Sequence, residues 1–180
     1  MIGAGPAEIF PTACGNLLFV ETRDAGYATM AGTSREASVT DTTRTTRATV
    51  TDLYAAYARR DFDRVAQLID EDVDWIIHGP VQIFPFAGHR RGRNAVLEAL
   101  GGIAKEYVLE RYEPQIVIVE GDRAAVMSDV AFQQRSTGRV VSFHLANFLR
   151  FRDGRLIEFR EFANTFDLVE QALGRWIDVG

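Results

Sequence analysis

Two polar residues set into apolar strand rows carry the chemistry this sequence can offer. Residues 139–166 read RVVSFHLANFLRFRDGRLIEFREFANTF, two runs rich in β-branched and aromatic residues around Arg152-Asp153-Gly154-Arg155. Alternation puts Phe143, Leu145, Asn147, Leu149 and Phe151 on one face of the first run. On the second, Ile157, Phe159, Glu161 and Ala163 share a face, with Leu156, Glu158, Arg160 and Phe162 opposite. A polar group on such a row costs free energy unless it is hydrogen-bonded or functional. Glu161 reads as a pocket carboxylate whose charged form is disfavoured by desolvation, which lifts its pKa toward the range of a general base. The competing reading has its strand row partly solvated, or pairs it with an arginine. Asn147 carries an NH2 that can donate to a developing oxyanion with no pKa requirement, or it serves neighbouring backbone groups.

Other residues have weaker claims. Asp129 alternates with Met127 and Ala131, against Val126, Ser128 and Val130. If its row faces the pocket, a second carboxylate stands near Glu161 and like charges raise one pKa further; otherwise it is a solvent-facing strand residue. Trp75 and His78 flank a strand end in WIIHGP. Trp75 suits a pocket wall. His78 titrates near neutral pH and belongs either to the pocket mouth or to the surface. Tyr57, Phe143 and Leu145 complete the candidate substrate-binding walls. Arg90, Arg91 and Arg93 cluster at a helix start. His78, His89 and His144 have no metal-ligand spacing, and Cys14 stands alone, so no metal site or disulfide is expected.

The elements that would position these groups can be read from periodicity. Asp-Gly between β-rich runs predicts a tight hairpin. Residues 48–70 read as helical, with Val50, Leu53, Tyr54 and Tyr57 on one stripe, and with Asp61 as N-cap of a second short helix carrying Val65, Leu68 and Ile69. Residues 73–78 read as a strand and residues 93–107 as a helix. Residues 109–119, with Pro114 at an edge or bulge, and 123–134 read as strands. Asn164 caps a last helix. Helices followed by a run of antiparallel strands indicate an α+β domain. Residues 1–46 form a separate low-complexity tail, rich in Gly, Ala, Thr and Ser. They are expected to be disordered and dispensable, with Met30 as an alternative start and Leu17-Leu18-Phe19-Val20 as a short sticky run. The domain proper is expected over residues 47–180.

Composition bounds the function. With 47% hydrophobic and 25% charged residues over 180, the chain has material for one globular core. Its net charge of −5 gives no basic excess, which argues against nucleic acid. No apolar run reaches membrane-span length and no secretory pattern is seen, so a cytoplasmic protein is expected.

The same residues carry a resemblance. The run FLRFRDGRL (148–156), a strand ending Arg160-Glu161-Phe162, a short following helix, WIIHGP (75–80) and FAGHRRGR (86–93) resemble the SnoaL-like branch of the ketosteroid isomerase and nuclear transport factor 2 superfamily, over about residues 46–173. The resemblance implies a cone: a curved mixed or antiparallel sheet wrapped around N-terminal helices, with one deep pocket. It implies a homodimer, here through the outer face bearing Phe148 and Phe162. In SnoaL-like polyketide cyclases, an acidic residue at the position of Glu161 is the acid/base; in limonene epoxide hydrolase it activates water. Both use Asp where this chain has Glu. Asn147 stands where relatives place a polar hydrogen-bonding residue. The arginine of the epoxide hydrolase pair falls near Asp129, so that triad is absent. The isomerase base falls near Ile77 and its oxyanion tyrosine at Leu53, which disfavours true ketosteroid isomerase chemistry. The expected function is cofactor-free proton transfer, of isomerase, cyclase or dehydratase type, on a small hydrophobic carbonyl-bearing substrate. Glu161 is the base, Asn147 the oxyanion donor and Asp129 an auxiliary carboxylate. The alternatives are a non-catalytic module for an apolar ligand or for dimerisation, and epoxide-hydrolase-like hydrolysis. Convergence of Glu161 and Asn147 on one cavity separates the enzyme from the binding module.

Overall fold

A computed structural model describes residues 18–19 and 33–178. In chain order the elements are β1 (Leu18–Phe19), α1 (Thr33–Ala58), α2 (Phe62–Leu68), β2 (Ile69–Ile77), β3 (Gly88–Arg91), α3 (Arg93–Glu106), β4 (Tyr107–Glu120), β5 (Arg123–Gln134), β6 (Val140–Arg152), β7 (Arg155–Ala163) and α4 (Thr165–Leu173). The strands form one sheet in the order β1-β4-β5-β6-β7-β2-β3. Its long central neighbours are antiparallel, whereas β2 joins β7 in parallel and β1 joins β4 in parallel. The sheet is curved and unclosed, and the architecture is the expected α+β cone. Among the described residues, no helix is long and apolar enough to cross a membrane.

The β6–β7 hairpin turns as its sequence demands. Asp153 and Gly154 take φ of 51° and 72°, the paired left-handed conformation of a tight hairpin turn, which Gly154 adopts without steric cost. One face of the hairpin departs from simple alternation. Arg150 pairs with Glu158 but Phe151 pairs with Leu156, so Ile157 is the extra residue of a β-bulge. The bulge turns Leu156, rather than Ile157, into the core, where it is fully buried. Beyond the bulge, Phe159, Glu161 and Ala163 point into the cone as alternation requires. Pro114 likewise sits at an irregularity, between the Pro114 and Ile116 pairings of β4 with β5.

The first helix is longer than the sequence suggests. It runs from Thr33 across the Thr-rich segment that reads as tail, so the expected start at Ala48 is corrected. The reason is tertiary. Thr46 and Thr49 are buried. The Thr43 hydroxyl accepts from the Gly121 amide at 3.0 Å, and the Thr49 hydroxyl is shared between Thr45 O at 3.1 Å and Gly154 O at 3.2 Å. These threonines pin α1 onto the β4–β5 and β6–β7 turns. The remaining tail residues, apart from Leu18 and Phe19, which pair with Ile116 and Val117, lie outside the described residues.

The second helix starts at Asp61, whose side chain accepts from the Arg64 amide, but it ends at Leu68, and Ile69 opens β2 instead. Helices α1 and α3 pack against the sheet through Val50, Leu53, Val96 and Leu100, and the cone's interior is the space left between them.

The helix-pinning hydroxyls give a test. Thr49→Val and Thr43→Val should each lower the unfolding free energy by about 1 kcal/mol, the usual net worth of one hydrogen bond. Thr42→Val, whose exposed hydroxyl bonds only Ser38 O, should change it by less than about 0.5 kcal/mol. Denaturant melts of the three variants check this.

Candidate functional site

Register brings the two polar residues together. Asn147 on β6 and Glu161 on β7 are direct cross-strand partners. Directly opposed residues of an antiparallel pair point to the same face. Asn147 Nδ2 donates to Glu161 Oε2 at 3.1 Å. From α1, the Tyr54 hydroxyl donates to Asn147 Oδ1 at 2.7 Å, closing a chain Tyr54–Asn147–Glu161. On the other side of β7, Ile77 of β2 pairs with Glu161, and the His78 amide donates to Glu161 O at 3.0 Å. Backbone bonding on both strand flanks fixes where the carboxyl stands.

Glu161 lines a cavity of about 100 Å3 whose walls are overwhelmingly apolar and aromatic. Trp75 and Phe159, cross-strand partners on β2 and β7, stack with centroids 3.6 Å apart and planes 9° from parallel. Tyr57 and Tyr112 meet edge to face at 5.0 Å. Burial among these groups pushes the Glu161 carboxyl from 4.5 to about 7, and the Asn147 hydrogen bond pulls part of the way back. Burial first, and the Glu161 charge second, hold the Tyr54 and Tyr57 phenols well above their ordinary value; Tyr112 is raised by burial and by the neighbouring Tyr54 and Glu161. All three phenols therefore stay neutral.

All five candidate wall residues, Trp75, Tyr57, His78, Phe143 and Leu145, line this cavity. His78 does so from an exposed position, its ring stacked at 4.3 Å on Phe162 outside the cone. The alternative of an arginine partner for Glu161 is not what the geometry shows. Arg150 pairs with Glu158, and Arg160 with Asp74 and Glu158, on the opposite face of the sheet.

Two expectations are corrected. Asp129 is not beside Glu161. Register aligns Val126 with Asn147 and Val130 with Phe143, so that row points inward and Asp129, opposite His144, points out. There it pairs with Arg111 at 2.9 Å. Neither a second pocket carboxylate nor a water-activating pair at this strand is assembled. Asn147 meets Glu161, but not as an oxyanion donor. It is fully buried behind the cavity wall, with its amide held between Tyr54 and Glu161. The sequence reading missed the role of Tyr54, although its place on the buried stripe of α1 was a signal: a buried tyrosine needs a partner for its hydroxyl. Among the described residues, no cluster of three His, Cys, Asp or Glu side chains is placed to hold a metal ion.

Comparison with known proteins agrees with this geometry at the level of fold. A family model described as a SnoaL-like domain matches residues 50–159. A structure from Rhodopseudomonas palustris, provisionally named an isomerase, is 40% identical over 70% of this chain and 93% of its own, with a TM-score of 0.64. An NTF2-like protein from Burkholderia xenovorans LB400 is 25% identical, covering 72% of this chain and 97% of its own, also at 0.64. A protein from Xanthomonas campestris pv. campestris, provisionally named a polyketide cyclase, shares the fold at 20% identity, with coverages of 73% and 98% and a TM-score of 0.61. No protein with a curated description matches the chain.

The raised Glu161 pKa makes stability depend on pH. Between 4.5 and about 7 the native state binds this proton and the unfolded state does not, so stability falls as pH rises through that window. Glu161→Gln should remove this fall. The variant should melt at or above the wild-type temperature at pH 8, and its advantage should vanish below pH 4.5, as scanning calorimetry across pH would read.

Proposed function

The chain belongs to the family of SnoaL-like domains, and we propose that it is a small-molecule enzyme that moves a proton on a flat, hydrophobic, carbonyl-bearing substrate. One observation carries the reading: a single carboxyl, held from behind by an amide and raised to about 7, opens into a cavity otherwise walled by rings. A base poised near the working pH combines a useful ionised fraction with a useful driving force. The stacked Trp75–Phe159 pair lines the cavity, and a rigid aromatic wall of this kind suits a planar, hydrophobic substrate.

The oxygen-binding role passes from Asn147 to Tyr57. Its hydroxyl has no hydrogen-bond partner among the described residues, it lines the same cavity, and it feels the Glu161 charge. A phenol held neutral is a dependable donor to an enolate oxygen as proton abstraction creates it. In the proposed step, Glu161 takes a proton from the carbon next to the carbonyl, the C–H electron pair moves into the enolate, and Tyr57 donates a hydrogen bond to its oxygen. Glu161 then returns the proton to a different position, or to the same one. The provisional isomerase name of the 40% identical relative agrees with this class of reaction.

We also propose that the protein works as a homodimer joined through the outer sheet face. Phe148 and Phe162 are 54% and 44% exposed there and pack edge to face with each other, which leaves an aromatic patch in water.

The substrate need not be known to test the chemistry. In D2O, a panel of cyclic and aryl ketones should exchange hydrogen for deuterium next to the carbonyl faster with the protein than in buffer, read by NMR. Glu161→Gln should slow the best substrate by on the order of 10²–10⁴, and Tyr57→Phe by on the order of 10²–10³. Ligands that bind without any exchange would make the protein a binding module instead. For the assembly, light scattering should give twice the chain mass, and Phe148→Glu should shift it to the monomer.

A further inference from the structure

Of the two oxygens of the Glu161 carboxyl, one is held and one is not. Oε2 accepts from Asn147 Nδ2, and no side-chain donor among the described residues reaches Oε1. Which face Asn147 presents is therefore decisive. With its NH2 toward Glu161 it stabilises the carboxylate; with its C=O toward Glu161 it can pair only with the protonated acid. Nothing in the strand register selects between these, because rotating the amide by half a turn leaves its shape unchanged.

The selection is made at the other end of the amide. The Tyr54 hydroxyl donates to Oδ1 at 2.7 Å from a residue only 7% exposed. A phenol can also accept, but its own proton would then give up the one acceptor it has among the described residues, at a buried position where an unmade bond is costly. The Tyr54 ring packs against Tyr112 with centroids 5.8 Å apart, so the hydroxyl is held in place. We propose that Tyr54 is a positioning residue: it locks the Asn147 amide with its NH2 toward Glu161, so that one carboxylate oxygen is anchored and the other is left to exchange the substrate proton.

The remaining groups around Glu161 leave this lock as its polar control. Tyr57 and Tyr112 face it from α1 and β4 as neutral phenols. His78, just after β2, donates its backbone amide to the main-chain oxygen of Glu161, not to the carboxyl, while its ring lies on Phe162. The walls from α3 and α4, such as Ile103 and Leu168, carry no charge, and Arg150 and Arg160 are engaged on the far face. Loss of the lock frees the amide to turn, and the carboxylate loses its one charge-stabilising donor for part of the time.

The role rests on Glu161 as the proton-transfer group, but its test does not use turnover. The carboxyl carbon of Glu161, labelled with 13C and assigned by its loss in Glu161→Gln, is titrated by NMR in the full chain. Tyr54→Phe should raise its midpoint by about one pH unit, the scale of a hydrogen bond to a charged group. Asn147→Leu should raise it at least as far. Adding Tyr54→Phe to Asn147→Leu should add less than about 0.2 unit, because the tyrosine acts only through the amide. If Asn147→Leu does not fold, Asn147→Ala serves as the same background. A midpoint that Tyr54→Phe leaves unchanged or lowers overturns the proposal, as does an equal shift in both backgrounds. Failure of deuterium exchange with a normal titration pattern would instead strike the catalytic reading and leave the lock standing.

Discussion

A carboxyl set among aromatic rings resists ionisation, and the cone is built around the tension this creates. Glu161 would be a plain strand carboxylate if water reached it freely; burial raises it to about 7, and a single amide hydrogen bond keeps it from going higher. Three parts of the chain far apart in sequence converge to hold that balance. Helix α1 supplies Tyr54, β6 supplies Asn147, and the parallel alignment of β2 with β7 fixes the backbone on the carboxyl's other flank. In its charged form the group strains the fold, so the pocket is a place where stability is given up to keep a carboxyl among rings.

The geometry that makes the site possible is set by irregularities. The bulge at Ile157 reverses the facing of the hairpin between its turn and its pocket end, so Leu156 seals the core while Glu161 still points inward. The parallel β2–β7 pairing joins residues 69–77 to residues 156–161, which only a chain folded back on itself can bring together. Such long-range pairing is slow to form. The threonine contacts of α1 with the two hairpin turns are equally non-local.

What the sequence made legible follows this division between local and distant causes. The Asp153-Gly154 turn, the inward row of β6 and the pairing of Asn147 with Glu161 were all readable, because alternation and turn chemistry act over a few residues. The start of α1 was not. A threonine-rich run has a weak claim to helix until its hydroxyls meet Gly121 and Gly154, partners 78 and 105 positions away. Leu156 and Ile157 exchanged roles because a bulge breaks the two-residue period. Asp129 kept two readings, pocket carboxylate or solvent-facing residue, because alternation gives two rows and only register with β6 tells which one faces in. The oxyanion role given to Asn147 failed because its NH2 is turned onto Glu161 behind the cavity wall, while Tyr54, 93 residues earlier, holds the carbonyl end.

The Trp75–Phe159 wall also gives the pocket a light of its own. The chain has two tryptophans. Trp176, 86% exposed near the end of the described chain, sees water; Trp75, 6% exposed, sees the cavity and a stacked ring. The two indoles therefore sit at opposite ends of the polarity scale to which their emission responds. The blue component belongs to the pocket and the red one to the surface. A guest that displaces solvent beside Trp75 alters only the first, and the second serves as an internal reference in the same cuvette. The protein thus carries an unlabelled optical gauge of the surroundings of Trp75.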